Sequence, residues 1–411
     1  MLKNYLMMAS KVYLRRKVFT AINLLCIVLT LVVLLVVTAV LETSSSPTGV
    51  ESRSDRMLRI DSMSKFGKDM SMTSGLGYKL IDQYLRPMRS ADKIGMVSYA
   101  HPIAVYQADR VEKMTIRYTD AAYWDILDFK LLAGRWISAD DVEKGHFGVV
   151  ISGSAAKRLF DTTAAIGKKI TIRSHQYEVI GVVEDAYQNS AGGEMWAALT
   201  TMPSSDYREQ LDGGFSALLL GKSSADLPAM KKEVNAIAKQ IVHDDPTKWT
   251  RTVLLANTKL DSFARGFATD SRAEDSGASQ VMGSIVVLMF LFMLLPALNL
   301  INLNLGRMME RSAEIGVRKA FGASTRTLVA QFLVENVLLS LVGCLIALAC
   351  TQLFLMWLCG SGIIPYLQVN VNLQVFVYGL LITLVFGLIS GVVPAWRMAR
   401  LDPVFALKGN T

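Results

Sequence analysis

Four stretches of this sequence are long, apolar and almost free of charge, and that pattern limits the possible folds more than any other feature. A helix rises about 1.5 Å per residue, so about 20 apolar residues cross a hydrocarbon layer of about 30 Å. Val18–Leu41, Gln280–Gly306 and Leu373–Trp396 hold no Asp, Glu, Lys or Arg, and Thr327–Leu358 holds one, Glu335. The Thr327–Leu358 run would make a helix of about 48 Å, so it tilts or projects beyond the bilayer. Residues 42–277, by contrast, carry 30 of the 43 Lys and Arg and 31 of the 35 Asp and Glu. The formal net charge of +8 therefore comes from the short segments beside the apolar runs, where membrane topology places basic residues. It does not point to nucleic acid as a partner.

The distribution of Lys and Arg orients the chain. Lys3, Lys11, Arg15, Arg16 and Lys17 precede the first run, which is too long for a cleaved signal and reads as an anchor. The expected layout is a cytoplasmic segment 1–17, a span 18–41, an external domain 42–277 and a span 280–306. A cytoplasmic segment 307–326, a span 327–358, an external loop 359–372, a span 373–396 and a cytoplasmic tail 397–411 follow. Arg307, Arg311, Arg318, Lys319 and Arg326 fall on the inner side, as do Arg397, Arg400 and Lys408, whereas 359–372 has no Lys or Arg. The fold class expected is an α-helical membrane protein with four transmembrane helices and a large α+β extracytoplasmic domain between the first two.

Within residues 42–277, Arg56–Ile60, Lys113–Tyr118, Gly148–Ile151, Lys169–Ile172 and Tyr177–Val183 read as strands. Ser154–Phe160 and Leu227–Val242 carry helical spacing, and polar, proline-free 261–279 is expected to run as a helix into the second span. Asp140-Asp141 and Glu184-Asp185 read as solvated turn residues, so no catalytic residue is assigned. Cys26, Cys344, Cys350 and Cys359 all lie in or beside apolar runs, and His101, His146, His175 and His243 are scattered. No metal site is expected.

The segment Arg307–Ala323, RMMERSAEIGVRKAFGA, holds the most functional information. Arg307, Glu310, Arg311 and Glu314 fall three and four apart, so opposite charges pair on one helix face. Residue chemistry alone leaves two readings open: a small docking surface, or a membrane-surface helix anchored by Arg and Lys. ERSAEIGVRKAFGA closely resembles the cytoplasmic signature of the MacB/FtsX-like permeases, the type VII ABC transporters. Asn299 and Asn302 in the second run, Glu335 in the third and the Asp402–Lys408 tail resemble the same family. Independently, Gly134-Arg135-Trp136, Asp140-Asp141, VVISGSAAKRLF (149–160), AIGKKI (165–170) and YEVIGVVED (177–185) resemble the periplasmic core domain of MacB-type permeases.

That resemblance implies a location in the cell inner membrane and a mechanical role. Glu310, Arg311, Glu314, Ile315, Gly316, Arg318, Lys319, Phe321 and Gly322 would form the element that couples to an ABC ATPase. Glu335, Asn299 and Asn302 would be polar positions within the membrane, with Glu335 a structural partner across the bundle, part of the coupling, or a lipid-level residue with no specific task. The pattern G-x-x-x-x-G-K-[ST] is absent from these 411 residues. ATP and magnesium would therefore be bound by a separate ATPase, with no cofactor in this chain. Other expected partners are a second permease copy (identical or similar), a periplasmic adaptor or outer-membrane protein, and membrane lipids. The resemblance favours export of a drug, peptide or lipoprotein. The alternatives are a non-transporting mechanotransmitter acting on a cell-wall hydrolase, and a peptide sensor partnered with a histidine kinase.

Overall fold

The computed structural model describes residues 17–107, 110–186, 188, 190–243, 245, 247–267, 273–310, 317, 324–361, 373, 376–381, 384–385 and 388. It forms two compact units, Thr43–Val281 and a helical unit of Met1–Glu42 with Met282–Thr411. Helix α1 (Lys17–Ser45) leads into the Thr43–Val281 unit.

The first part of that unit holds β1 (Met57–Phe66), β2 (Ser71–Leu76), β3 (Lys93–Ser98), β4 (His101–Gln107) and β5 (Arg110–Thr119). Next come α2 (Ala121–Ile126), β6 (Leu131–Gly134), α3 (Ala139–Lys144), β7 (Gly148–Ser152), α4 (Gly153–Phe160), β8 (Lys169–Ile172) and β9 (His175–Val183). The unit closes with β10 (Met195–Ala198), β11 (Asp212–Gly213), β12 (Phe215–Leu220), α5 (Leu227–Ala238), β13 (Arg251–Asn257) and α6 (Lys259–Arg265).

Two folding patterns emerge from the pairing. β13, β1, β12 and β3 lie side by side in that order, every neighbour antiparallel. A short helical stretch (Tyr78–Leu80 and Ile81–Leu85) connects β2 to β3, and α5 connects β12 to β13. This is the split βαβ arrangement of ferredoxin-like sheets. Inserted between β3 and β12 is a second set, in which β10 pairs with both β5 and β7. The circuit then runs through β7–β9, β9–β8, β8–β4 and β4–β5, so six strands close a small barrel. Closure removes exposed edges, and the inner face is filled by Val105, Met114, Ile116, Ile151, Ile170, Val179 and Met195, all buried.

All five sequence-read strands are present, as is the helix at 154–160. Two helix expectations are corrected. α5 ends at Ala238 rather than Val242. The expected helix over 261–279 is broken: α6 ends at Arg265, and residues 273–277 are not helical. Gly277 adopts φ +67, a left-handed conformation no continuous right-handed helix tolerates, and its N–H is tied 3.0 Å from Asp275 Oδ1.

In the helical unit, α7 (Ala278–Glu310) and α8 (Thr325–Gly360) accompany α1. Ile27, Leu31 and Leu34 of α1 pack with Leu339, Cys344 and Ala347 of α8, all buried. At Gly343 an added Cβ would come within 2.7 Å of Ile27, so glycine is what lets the two backbones approach. Ala39 packs with Leu355 in the same way. Contacts thus advance from 27 with 343 to 39 with 355, and α1 and α8 run parallel. Among the described residues, two helices are long and apolar enough to cross a membrane, Thr20–Glu42 and Leu333–Gly360, and Ala278–Phe292 is a shorter apolar stretch.

Candidate functional site

Glu310 closes α7, while Arg311, Glu314, Ile315, Gly316, Arg318, Lys319, Phe321 and Gly322 lie outside the described residues. The side chains of Glu310, Asn299 and Asn302 do as well. Glu335 is described. It lies in α8 and is only 2% exposed within the helical unit. Carboxylates at such depth are expensive in an apolar run and are kept where helices face one another. Asn23 in α1 and Thr351 in α8 are fully buried too. Sequence reading did not single them out, because an isolated amide or hydroxyl hardly alters the hydropathy of a long apolar run.

The points where the chain enters and leaves the α+β unit form a second cluster. Glu51, 5% exposed, receives Lys259 Nζ at 2.8 Å and the Ser190 N–H at 3.1 Å. Lys259 also donates to the Ser46 carbonyl at 3.1 Å. The segment that follows α1 is therefore bound to the first turn of α6.

Two residues on, Asp261 accepts from the Thr258 N–H (2.9 Å) and hydroxyl (2.8 Å), closing a capping box at the start of α6. It also pairs with Lys231 of α5 at 2.5 Å and accepts from the hydroxyl of Ser276, two residues before α7. Burial tends to raise its pKa, but the Lys231, Ser276 and Thr258 hydrogen bonds outweigh that effect and hold the carboxyl at about 2. One carboxylate thus joins α5, the start of α6 and the approach to α7.

The signature in the external domain proves architectural. Gly134 adopts φ +81, and a Cβ there would lie 2.2 Å from the Ile180 carbonyl. Arg135 binds both oxygens of Asp141, with Nη2 to Oδ1 at 2.9 Å, and Trp136 stacks on Trp124 with centroids 5.3 Å apart. The expectation of a solvated Asp141 is corrected: the residue is 2% exposed. The Arg135 guanidinium bond holds its pKa well below the carboxylate range, against burial and with help from Ser138 and His146. Asp140 stays at the surface with Lys144, Glu184 pairs with Lys130, and Asp185 accepts from the Ser154 N–H.

Residues 20–237 match a family model described as the MacB-like periplasmic core domain, and residues 286–403 match one described as the FtsX-like permease C-terminal region. The first match covers more than half of the chain. Among individual proteins, the chain is 28% identical over 319 residues to the uncharacterized ABC transporter permease YknZ of Bacillus subtilis (strain 168), covering 73% of this chain and 74% of that protein. It is 25% identical over 295 residues to the macrolide export ATP-binding/permease protein MacB of Pasteurella multocida, covering 70% of this chain and 41% of that one. A pyoverdine export ATP-binding/permease protein, PvdT of Pseudomonas aeruginosa, is 28% identical over 286 residues, with 69% and 40% covered. The chain therefore spans about two-fifths of the ATP-binding/permease relatives it matches.

Proposed function

The chain belongs to the MacB/FtsX-like family of ABC transporter permeases, and from that premise we propose that it relays ATP-driven motion of a separate ATPase to its external domain. In this reading four helices cross the inner membrane, both termini are cytoplasmic, and residues 42–277 lie outside. Residues 307–326 dock on the ATPase through Glu310, Arg311, Glu314, Ile315, Gly316, Arg318, Lys319, Phe321 and Gly322. Glu335, Asn299 and Asn302 hold the spans together at polar positions. Two permease copies, identical or similar, would act together, with a periplasmic adaptor or outer-membrane protein beyond.

The observation that carries the reading is the double fastening at the base of the α+β unit. Lys259–Glu51 and Asp261–Ser276 tie the chain leaving α1 and the chain approaching α7 to the same short helix. A domain built to follow its helices must not let those two connections slacken. No G-x-x-x-x-G-K-[ST] phosphate-binding loop lies within these 411 residues, so the ATP hydrolysis that drives them is carried by residues outside them. The names of MacB and PvdT support export as the outcome, although those names concern different molecules and leave the cargo of this chain open.

Affinity purification of the full chain in mild detergent should bring down an ABC ATPase. Charge reversal at Glu314 or Arg318 should preserve assembly of the complex while separating ATP hydrolysis from transport. Full coupling in both reversed variants would refute the docking assignment.

A further inference from the structure

The barrel is filled by side chains along most of its length, but one end opens into a cavity of about 380 Å³. That falls within the size range of small-molecule sites, and barrel mouths are a common place for them. Its floor and walls come from the barrel's inner face: His101 and Ile103 of β4 and Tyr118 of β5. Met202 and Tyr207, from the segment after β10, form the facing wall. The cavity lies within the Thr43–Val281 unit and needs no second element of the chain.

Arg173 stands at the rim. Ile172 pairs with His175, so Arg173 and Ser174 form the two-residue turn between β8 and β9. Such hairpin turns need a positive φ and ordinarily use glycine or asparagine. Here an arginine takes the position at φ +54, an arrangement disfavoured for a residue with a Cβ. Among the described residues, no hydrogen bond or ion pair engages its guanidinium.

Two of the titratable side chains lining the cavity are uncharged at neutral pH. Burial, then the charges of Arg173 and Arg117, hold His101 below the usual imidazole range, so it is uncharged at neutral pH. Burial pushes the Tyr118 hydroxyl well above the usual phenol range, and its proton is engaged by Tyr177. Asp206 supplies a negative charge among the lining residues, and its side chain is exposed.

We propose that this barrel mouth binds an aromatic or apolar molecule bearing a carboxylate, with the apolar part against Tyr118, Ile103, Tyr207 and Met202 and the carboxylate on Arg173. The guanidinium fork matches a carboxylate in two parallel hydrogen bonds, and the aromatic walls take the rest. The carboxylate could belong to a free small acid or to the C-terminus of a peptide. The proposal stands on the external domain alone and is independent of which ATPase drives the chain.

The test uses the full chain in nanodiscs and ligand-observed NMR titrations at pH 7. The probes are 2-naphthylacetate, its amide, 2-naphthylethylamine and N-acetyl-alanyl-phenylalanine. At least one of the two acids should bind saturably, and whichever binds more tightly identifies the source. The amide should bind roughly tenfold more weakly than the acid, as expected for loss of a charge-assisted pair. Arg173→Gly and Arg173→Asn suit the turn conformation, so both should fold with undiminished Tm and lose roughly tenfold in affinity for the acid. Equal binding by both variants, no saturable binding by either acid, or tighter binding of the amine through Asp206 would overturn the proposal.

Discussion

Asp261 shows how much a single carboxylate can organise. Its ordinary pKa would be about 4, and its hydrogen bonds hold it at about 2 in the folded chain. A depressed carboxylate contributes stability fully above its unfolded pKa and loses it as pH falls through the folded one, so the window here runs from about pH 4 down to about pH 2. The contribution at neutral pH is about 2 kcal/mol. Thermal melts of the full chain, followed by tryptophan fluorescence, should show a fall in Tm across that window. Asp261→Asn should lower Tm at pH 7 and flatten the fall, and an unchanged pH profile in the variant would remove Asp261 as its origin. Half of this residue's role is legible in sequence, since Thr258-x-x-Asp261 has the spacing of a capping box. The other half is not, because Lys231 and Ser276 reach it only through the packing of separate elements. Asp141 teaches the same lesson: its neighbour Asp140 looks identical in sequence, yet only Asp141 turns inward to Arg135.

Among elements, the helices were the most readable where their apolar runs were longest and the least where they were polar. α1 and α8 follow directly from composition. The approach to α7 does not, because residues 261–279 have helix-compatible composition, yet α6 stops at Arg265 and Gly277 just before α7 adopts φ +67, a conformation that a glycine permits but does not demand. The parallel seam between α1 and α8 makes its own prediction. In a chain freed of its native cysteines, the pair Ile27→Cys and Gly343→Cys should crosslink on mild oxidation, whereas Ala39→Cys with Gly343→Cys should not. Efficient crosslinking of the second pair would contradict the register of Ile27 on Gly343 and Ala39 on Leu355. In the proposed four-span layout α1 and α8 would be the first and third crossings, and a parallel pair is what that layout would require.

For the whole molecule, the proposed orientation makes a direct prediction. Single cysteines at exposed Ser205 and at Ser312 should differ in intact spheroplasts, with Ser205 reacting with a membrane-impermeant maleimide and Ser312 remaining protected. Reversed reactivity would invert the topology. Ser190, central to the external segment, would be a poor probe because it is 2% exposed and its N–H binds Glu51. The long apolar runs, the α+β character of the external domain and the family were legible in the sequence alone. Those features are written in local composition and short motifs, which hydrocarbon thickness and strand periodicity read directly. Only the tertiary structure decided that the external strands divide into a ferredoxin-like sheet and a closed six-stranded barrel. Only it decided that Glu51 meets Lys259, and that Arg173 stands over an aromatic cavity. Each of these joins residues far apart in the chain, and pairing between distant strands is set by how whole faces bury one another, which no local pattern records.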